Sequence, residues 1–433
     1  MLLVLSAVSP VMSVYVGGSA VLHLAGTGAA LAFLAGGILA ALFALLYAEL
    51  GSRRPGAGGV YPGLAALLGP GVAQGYMFMT LVTAMPLIAF SALGLAGYLR
   101  VLFPALPQLP AALAAIAAAA GIAMCNIRTG ALVTGLFLGV ELAALAVLMW
   151  VAAAQPAIPL MTVIAAPVMA DGTATGIGVL ALAVLAGLFW CGGAVYALYF
   201  VEEMQGGAAT LGPVTARAGA ISALVIAMPM LVLVPALAAR PALLGAQSPI
   251  AAFLGAAATP AVAQAVSAGV IAAVFNALIA TIMAFARMVH AMGRDGALPG
   301  PAAGLAKRLS RRGHAPWGAT LIVAALSGGA TLLGERWLLI LTSGNAADYL
   351  LIALALIAAR RLGEPSPYAA PLHPFLPALA LAVSAAAVLS YWLDAETGRP
   401  SLFVITGAFA AAWSSWHLRR RSSMVNAVKP KGP

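Results

Sequence analysis

Long apolar runs fill most of this chain, and short clusters of proline, glycine and arginine separate them. The runs show no alternation of polar and apolar residues, whereas a membrane β-barrel would alternate in segments of about ten residues. A helix that crosses a bilayer core of about 30 Å needs about 20 apolar residues. The pattern therefore predicts an all-α polytopic membrane protein with twelve spans, at roughly 1–21, 28–50, 72–99, 109–126, 130–152, 176–201, 216–238, 262–292, 316–334, 337–359, 372–392 and 400–418.

The composition leads to the same class of protein. Of the 433 residues, 63% are hydrophobic and only 7% are charged, whereas about a quarter of a soluble domain is charged. Both cysteines, Cys125 and Cys191, lie in apolar segments without the spacing of metal ligands. The sequence therefore predicts a lipid environment and neither a metal site nor another cofactor.

The positive charges divide unequally between the two sides of the predicted bundle. When the N-terminus is placed inside, 17 of the 21 lysines and arginines fall on its side, and only Arg100, Arg240, Arg336 and Arg399 fall on the other. Cytoplasmic loops carry such an excess. This distribution predicts that both termini are cytoplasmic and that the protein lies in the cytoplasmic (inner) membrane. It also explains the net charge of +10 without a nucleic-acid partner.

Two predicted spans contain residues that interrupt helices. Pro10 lies within the first apolar run, close to Ser9 and Ser13, and Gly192 and Gly193 lie within the sixth. Interrupted spans in corresponding halves of a chain indicate the binding site of a transporter. A broken helix exposes backbone N–H and C=O groups in the membrane, where they can bind a charged or polar solute.

Three segments together resemble the amino acid–polyamine–organocation superfamily of transporters. "YAELGSRRPGAGGVYPGLAALLGP" (47–70) is similar to the signature of its second span. "FWCGGAVYALYFVEEMQG" (189–206) looks like its broken sixth span, and "NALIATIMAFARMVHAMGRDGALPG" (276–300) resembles its eighth span and the following loop. The three motifs occur in the expected order and, with the span count, cover most of residues 1–360.

The resemblance implies a 5+5 inverted repeat with discontinuous first and sixth helices. It divides the chain into a first repeat (1–152), a second repeat (176–360), two further helices (372–418) and a cytoplasmic tail (419–433). Some members of the superfamily carry a lysine in the fifth span in place of a cation. None of the three lysines of this chain falls in a predicted span.

The resemblance also places a substrate between the unwound parts of spans one and six, with spans three, eight and ten closing the pocket. Phe189 and Trp190 either line this pocket or pack as ordinary membrane aromatics, and Cys191 is interpreted first as a small apolar filler. Asn276 has both a binding and a structural interpretation. The predicted substrate-binding residues are Ser9, Met12, Ser13, Val14, Phe189, Trp190, Cys191, Gly192, Gly193 and Asn276.

Glu141 and Asp348 fall midway along the fifth and tenth predicted spans. Carboxylates at such depth are rare and often functional, although a protonated carboxyl group can also hydrogen-bond between helices. The eighth span offers few ligands for a sodium ion, because Thr281 is the only hydroxyl residue near its middle. Both carboxylates are therefore candidates for proton coupling. Asp348 is placed first because "SGNAADY" (343–349) clusters polar groups around it.

Other acidic residues are expected to be structural. Glu49 is expected to pair with Arg53 and Arg54, and Glu202 and Glu203 with loop arginines such as Arg217.

The predicted function is secondary active transport of an amino acid or related small amine by alternating access, coupled to protons. A small neutral zwitterion fits the apolar pocket residues better than a dibasic substrate. Exchange of amino acids or polyamines remains an alternative, as do a membrane enzyme and a non-transporting sensor of the same fold. No nucleotide-binding motif appears, and no clustered acids or histidines suit an enzyme. The oligomeric state stays open.

Overall fold

The structure is a computed structural model that describes residues 2–56, 58–124, 127–201, 204, 208–298, 300–310, 315–344 and 346–428. The first ten α-helices in these ranges are α1 (Leu2–Val8), α2 (Pro10–Met12), α3 (Ser19–Ala25), α4 (Ala29–Arg53), α5 (Tyr61–Leu67), α6 (Pro70–Leu102), α7 (Gln108–Ala123), α8 (Ile127–Ala153), α9 (Leu160–Ala165) and α10 (Ile177–Cys191).

Ten further α-helices follow in the described ranges. They are α11 (Tyr196–Tyr199), α12 (Ala208–Ala238), α13 (Pro249–Ala257), α14 (Pro260–Arg294), α15 (Gly300–Ala306), α16 (Trp317–Ala330), α17 (Glu335–Ser343), α18 (Ala346–Arg361), α19 (Phe375–Leu393) and α20 (Gly398–Val428).

Within the described ranges, eight helical segments are long and apolar enough to cross a membrane. They are Pro10–Arg53, Pro70–Arg100, Gly135–Ala153, Ile177–Tyr199, Ala209–Ala238, Pro260–Arg294, Ile340–Arg361 and Phe375–Leu393. Two shorter apolar helical segments, Gln108–Ala123 and Trp317–Leu333, coincide with two further predicted spans. The chain therefore has the helices of a polytopic membrane protein, while the count of twelve spans and the inverted repeat stay predictions.

The first apolar run is interrupted at Ser9. Helix α1 ends at Val8, Ser9 adopts a left-handed backbone conformation with φ of 42°, and α2 begins at Pro10. Proline disfavours the right-handed helical conformation in the residue that precedes it, which explains why the helix breaks at this position. The chain then continues through a π-helical stretch, Ser13–Gly18, into α3.

The second interruption lies at the glycine pair of the sixth predicted span. Helix α10 ends at Cys191, Gly192 is extended with φ of −71° and ψ of 162°, and the short helix α11 begins at Tyr196. The predicted span 176–201 therefore contains two helices and a non-helical link at the glycine pair, where an interruption was expected.

Helix α4 packs closely against α10 and α12. A Cβ atom added to Gly36 would lie 2.3 Å from the backbone nitrogen of Leu188 on α10, and one added to Gly219 on α12 would lie 2.1 Å from the Cβ of Ala44. Small residues permit this close approach of helix backbones in membranes. Helix α10, which leads into the second break, therefore packs with its backbone close against α4.

A buried ion-pair network joins the end of α4 to the end of α18. Glu49 accepts from Arg53 at 2.6 Å, from Arg360 at 2.8 Å and from the backbone amide of Ala370 at 2.9 Å. The expected pair of Glu49 with Arg53 is confirmed. The expected pair with Arg54 is wrong, because Arg54 reaches Glu364 on the surface instead. Glu202 and Glu203 lie outside the described residues.

Candidate functional site

A cavity of about 80 Å³ lies where the two helix breaks meet. A cavity needs about 10–15 Å³ to hold one water molecule, so this one has room for several water-sized groups. Its described wall consists of Ala7, Val8, Met12, Ser13, Tyr47, Thr80, Leu87, Leu185, Leu188, Phe189, Trp190, Gly192, Gly193, Val195, Tyr196, Tyr199, Phe285, Asp348 and Tyr349. These residues come from both interrupted segments and from α4, α6, α14 and α18.

The first break supplies only part of the expected set to the cavity. Met12 and Ser13 lie in the wall, and the Ser13 hydroxyl donates to the Val8 carbonyl at 3.3 Å. Ser9 is fully buried but is not among the wall residues, because its side chain is directed towards α8. Val14 is also fully buried and is not a wall residue.

The second break contributes four of its five expected residues. Phe189, Trp190, Gly192 and Gly193 all lie in the cavity wall. Cys191 is buried but faces α4, where its Sγ atom lies 3.6 Å from a Cβ atom built onto Gly37. The position of Cys191 therefore agrees with its interpretation as a small apolar filler.

The ring of Trp190 covers the first interrupted segment. A Cβ atom added to Gly17 would lie 2.3 Å from Cδ2 of Trp190, so the ring can occupy this position only because residue 17 lacks a side chain. Phe90 and Phe189 contact the other parts of the ring, with centroid distances of 6.0 and 5.1 Å. The buried Nε1–H group of Trp190 has no hydrogen-bond acceptor among the described residues.

Asp348 lies in the cavity wall near the start of α18 and is only 6% exposed. The Tyr76 hydroxyl donates to its Oδ2 atom at the long distance of 3.5 Å. Its Oδ1 atom has no hydrogen-bond partner in the described part of the chain. A buried polar atom without a partner is costly, so this oxygen is an unsatisfied acceptor at the cavity.

Glu141 belongs to a separate polar cluster behind the first break. The Ser9 hydroxyl donates to Oε2 of Glu141 at 2.9 Å, and the Val11 backbone and the Asn276 side chain lie close to this carboxyl group. Oε1 of Glu141 has no hydrogen-bond partner among the described residues. Glu141 is fully buried and is not among the residues of the cavity wall. Of the sequence-predicted site residues, Ser9, Glu141 and Asn276 therefore belong to this cluster, Val14 and Cys191 belong to neither group, and the others line the cavity.

Several wall residues were not predicted from the sequence. Tyr47, Tyr196, Tyr199, Phe285 and Tyr349 contribute aromatic rings to the cavity. Tyr349 follows Asp348 within the polar segment singled out above, and Tyr196 and Tyr199 follow the glycine pair, so their positions were available signals. Tyr47 is the first residue of the second-span motif, but the motif did not indicate that its ring lies in the cavity wall.

Two interrupted helices that line one cavity, within an apolar helical bundle, are typical of membrane transporters. Comparison with known families is more specific: residues 1–416 match the profile of the family described as amino acid permease. The chain belongs to this family and so to the amino acid–polyamine–organocation superfamily, as its motifs indicated. A search of curated proteins found no match. The protein is thus a multi-pass membrane permease, and its family points to transport of amino acids rather than to an enzyme.

Proposed function

We propose that this protein is a secondary active transporter that moves an amino acid or a related small amine across the cytoplasmic membrane by alternating access. The observation that carries the proposal is the cavity at the two helix breaks, with a carboxyl oxygen of Asp348 in its wall that has no hydrogen-bond partner among the described residues. Substrates of transporters with broken helices bind at such interruptions, where backbone groups and side chains converge. Both termini are cytoplasmic in this proposal, in accord with the distribution of basic residues.

The proposed coupling ion is the proton, and its proposed site is Glu141. A proton carrier must gain and lose a proton during the cycle, and Glu141 contacts the hydroxyl of Ser9, the residue at which the first helix breaks. A change in the charge of Glu141 would therefore act directly on the segment that borders the cavity. Asp348, the other candidate, lines the cavity itself and can contact the substrate directly.

Uptake by the purified protein in liposomes tests this proposal. A panel of labelled amino acids and amines would be offered with an inward proton gradient and no sodium, and then with sodium and no proton gradient. We expect accumulation of at least one compound to follow the proton gradient. Uptake that strictly requires sodium would contradict the assignment of the coupling ion.

The variant Glu141→Gln provides the matched test of the proton site. Glutamine has nearly the same shape and can still accept from the Ser9 hydroxyl, but it cannot carry a proton through the cycle. We expect this variant to lose stimulation by the gradient while it retains exchange of internal for external substrate. If the wild-type protein exchanges substrate and a proton gradient has no effect on the exchange, the result supports the alternative of a pure exchanger and contradicts proton coupling.

A further inference from the structure

The described cavity wall contains one carboxyl group and no basic side chain that could pair with it. Asp348 is the one acidic side chain among the described wall residues, and no arginine, lysine or histidine is found among them. The buried Arg53 and the half-buried Arg360 both bind Glu49, and the half-buried Arg287 lies over the ring of Phe200 and is not among the wall residues. Since a buried carboxylate is costly without a partner of opposite charge, a ligand that brings a positive group would supply what the described wall lacks.

Aromatic rings surround the carboxylate. Tyr47, Tyr76, Tyr199 and Tyr349 all lie close enough to Asp348 to interact with its charge. The rings of Tyr47 and Tyr349 are 5.9 Å apart, and both residues lie in the cavity wall. Ring faces attract ammonium groups, with greater effect where water is excluded. A carboxylate among tyrosine rings is therefore a suitable site for an organic ammonium group.

The backbone at the breaks adds to this preference. Helix α10 ends at Cys191 beside the cavity, and the C-terminal end of a helix favours a positive charge. At the first break, where a free helix start could bind a carboxylate, two of the amides are already engaged. The Met12 and Ser13 amides donate to the side chain and the carbonyl of Ser9.

We propose that Asp348 is the counter-ion of the ammonium group of the substrate, and that the cavity selects organic amines by this group without requiring a carboxylate. The inference rests on the proposed function, because it names the substrate class for the same cavity. The sequence favoured a small neutral zwitterion as the substrate, whereas the cavity favours an amine that carries an apolar hydrocarbon group. The single carboxylate and the apolar and aromatic wall match one ammonium group and a hydrocarbon chain.

Matched compounds test the inference on the unmodified protein. Each set holds an amino acid, the amine that lacks its carboxyl group and the acid that lacks its amino group. One set is alanine, ethylamine and propanoate. The second is leucine, 3-methylbutylamine and 4-methylpentanoate, and the third is phenylalanine, 2-phenylethylamine and 3-phenylpropanoate. Binding to the purified full chain in detergent would be measured by thermal stabilisation, and uptake by competition in liposomes.

We expect the amine of at least one set to bind at least as well as its amino acid and the acid not to bind. The variant Asp348→Asn removes the charge but keeps the shape, and we expect it to weaken amine binding by about tenfold to a hundredfold, the effect of one charge-assisted hydrogen bond. Tyr76→Phe keeps the charge, so its effect should stay within a few-fold. Asp171→Asn controls for the loss of one negative charge, since Asp171 is exposed and the Thr173 hydroxyl and amide hold its pKa below the usual value.

The outcomes separate this inference from the proposed function. Binding of an amino acid without binding of its amine, or amine binding that Asp348→Asn leaves unchanged, overturns the inference while transport itself stands. Equal binding of the acid and the amine overturns it as well. If no compound of any set binds or is transported, the inference and the proposed function fail together. If Asp348→Asn does not fold, the difference in binding between the amine and the acid on the wild-type protein still tests the inference.

Discussion

A single methyl group added at Gly193 tests whether the two helix breaks meet at a functional cavity. In Gly193→Ala the new Cβ atom would lie 2.2 Å from Cγ2 and 3.0 Å from Cγ1 of Val8. Carbon atoms in contact are normally about 3.5–4.0 Å apart, so the overlap exceeds about 1 Å. Both residues lie in the cavity wall, and relief of the overlap must therefore move α1 or fill the cavity.

The expected cost follows from the overlap. Extra methyl groups in a well-packed interior cost about 1–3 kcal/mol. If this strain falls on the state that encloses the substrate, that state becomes roughly fivefold to 150-fold less populated. We expect uptake in liposomes to fall by a factor in this range, and the midpoint of thermal unfolding in detergent to fall as well.

A compensating variant and a control make the test specific. Val8→Ala removes both Cγ atoms that the new methyl group would strike, so the double variant Gly193→Ala with Val8→Ala should regain part of the uptake lost by Gly193→Ala alone. The rescue stays incomplete because the φ of 158° at residue 193 and the Val8 Cβ atom at 3.1 Å are unchanged. The expected coupling between the two sites is about 0.5–3 kcal/mol. In the control, Gly97→Ala, the added Cβ meets no atom within 4 Å. Uptake by Gly193→Ala equal to that of Gly97→Ala, or no rescue in the double variant, would refute the reasoning.

Three further predictions concern other parts of the fold. Gly17→Ala should displace the ring of Trp190, whose Cδ2 would lie 2.3 Å from the new Cβ, and weaken substrate binding at least about fivefold; unchanged binding and tryptophan fluorescence would contradict this. Glu49→Gln leaves the buried Arg53 without a negatively charged partner and should lower the free energy of unfolding by about 3–5 kcal/mol, measured by thermal or denaturant unfolding; a loss under about 1 kcal/mol would mean that the network contributes little. In a background with Cys125→Ser and Cys191→Ala, an impermeant thiol reagent applied to intact cells should label Asp171→Cys but neither Arg54→Cys nor Arg308→Cys, and the opposite pattern would reverse the proposed orientation.

The sequence by itself was sufficient to predict the class of protein and the positions of the two helix breaks. Few charges and long apolar runs leave helices in lipid as the stable arrangement, because each backbone polar group must then be satisfied within its own segment. Pro10 acts on the residue before it, so the break at Ser9 follows from local sterics. The paired Gly192 and Gly193 similarly favour an interruption in an apolar helix. The three motifs were specific enough to indicate the family that the comparison then showed.

The residues that share a cavity could be decided only by the tertiary structure. Periodicity does not tell which face of a buried helix meets which neighbour when the helix is apolar on all sides, as α4 and α10 nearly are. The sequence therefore grouped Ser9 with Met12, whereas packing directs Ser9 to Glu141 and leaves Met12 in the cavity wall.

The two buried carboxylates are the clearest example of this limit. In the sequence, Glu141 and Asp348 are both acids midway along a predicted span, and only the polar residues around Asp348 distinguish them. In the fold, each has one oxygen without a hydrogen-bond partner among the described residues, but Glu141 accepts from Ser9 behind the first break, whereas Asp348 lies in the cavity wall. Their different surroundings arise from contacts between residues more than a hundred positions apart, which only the packed helices bring together.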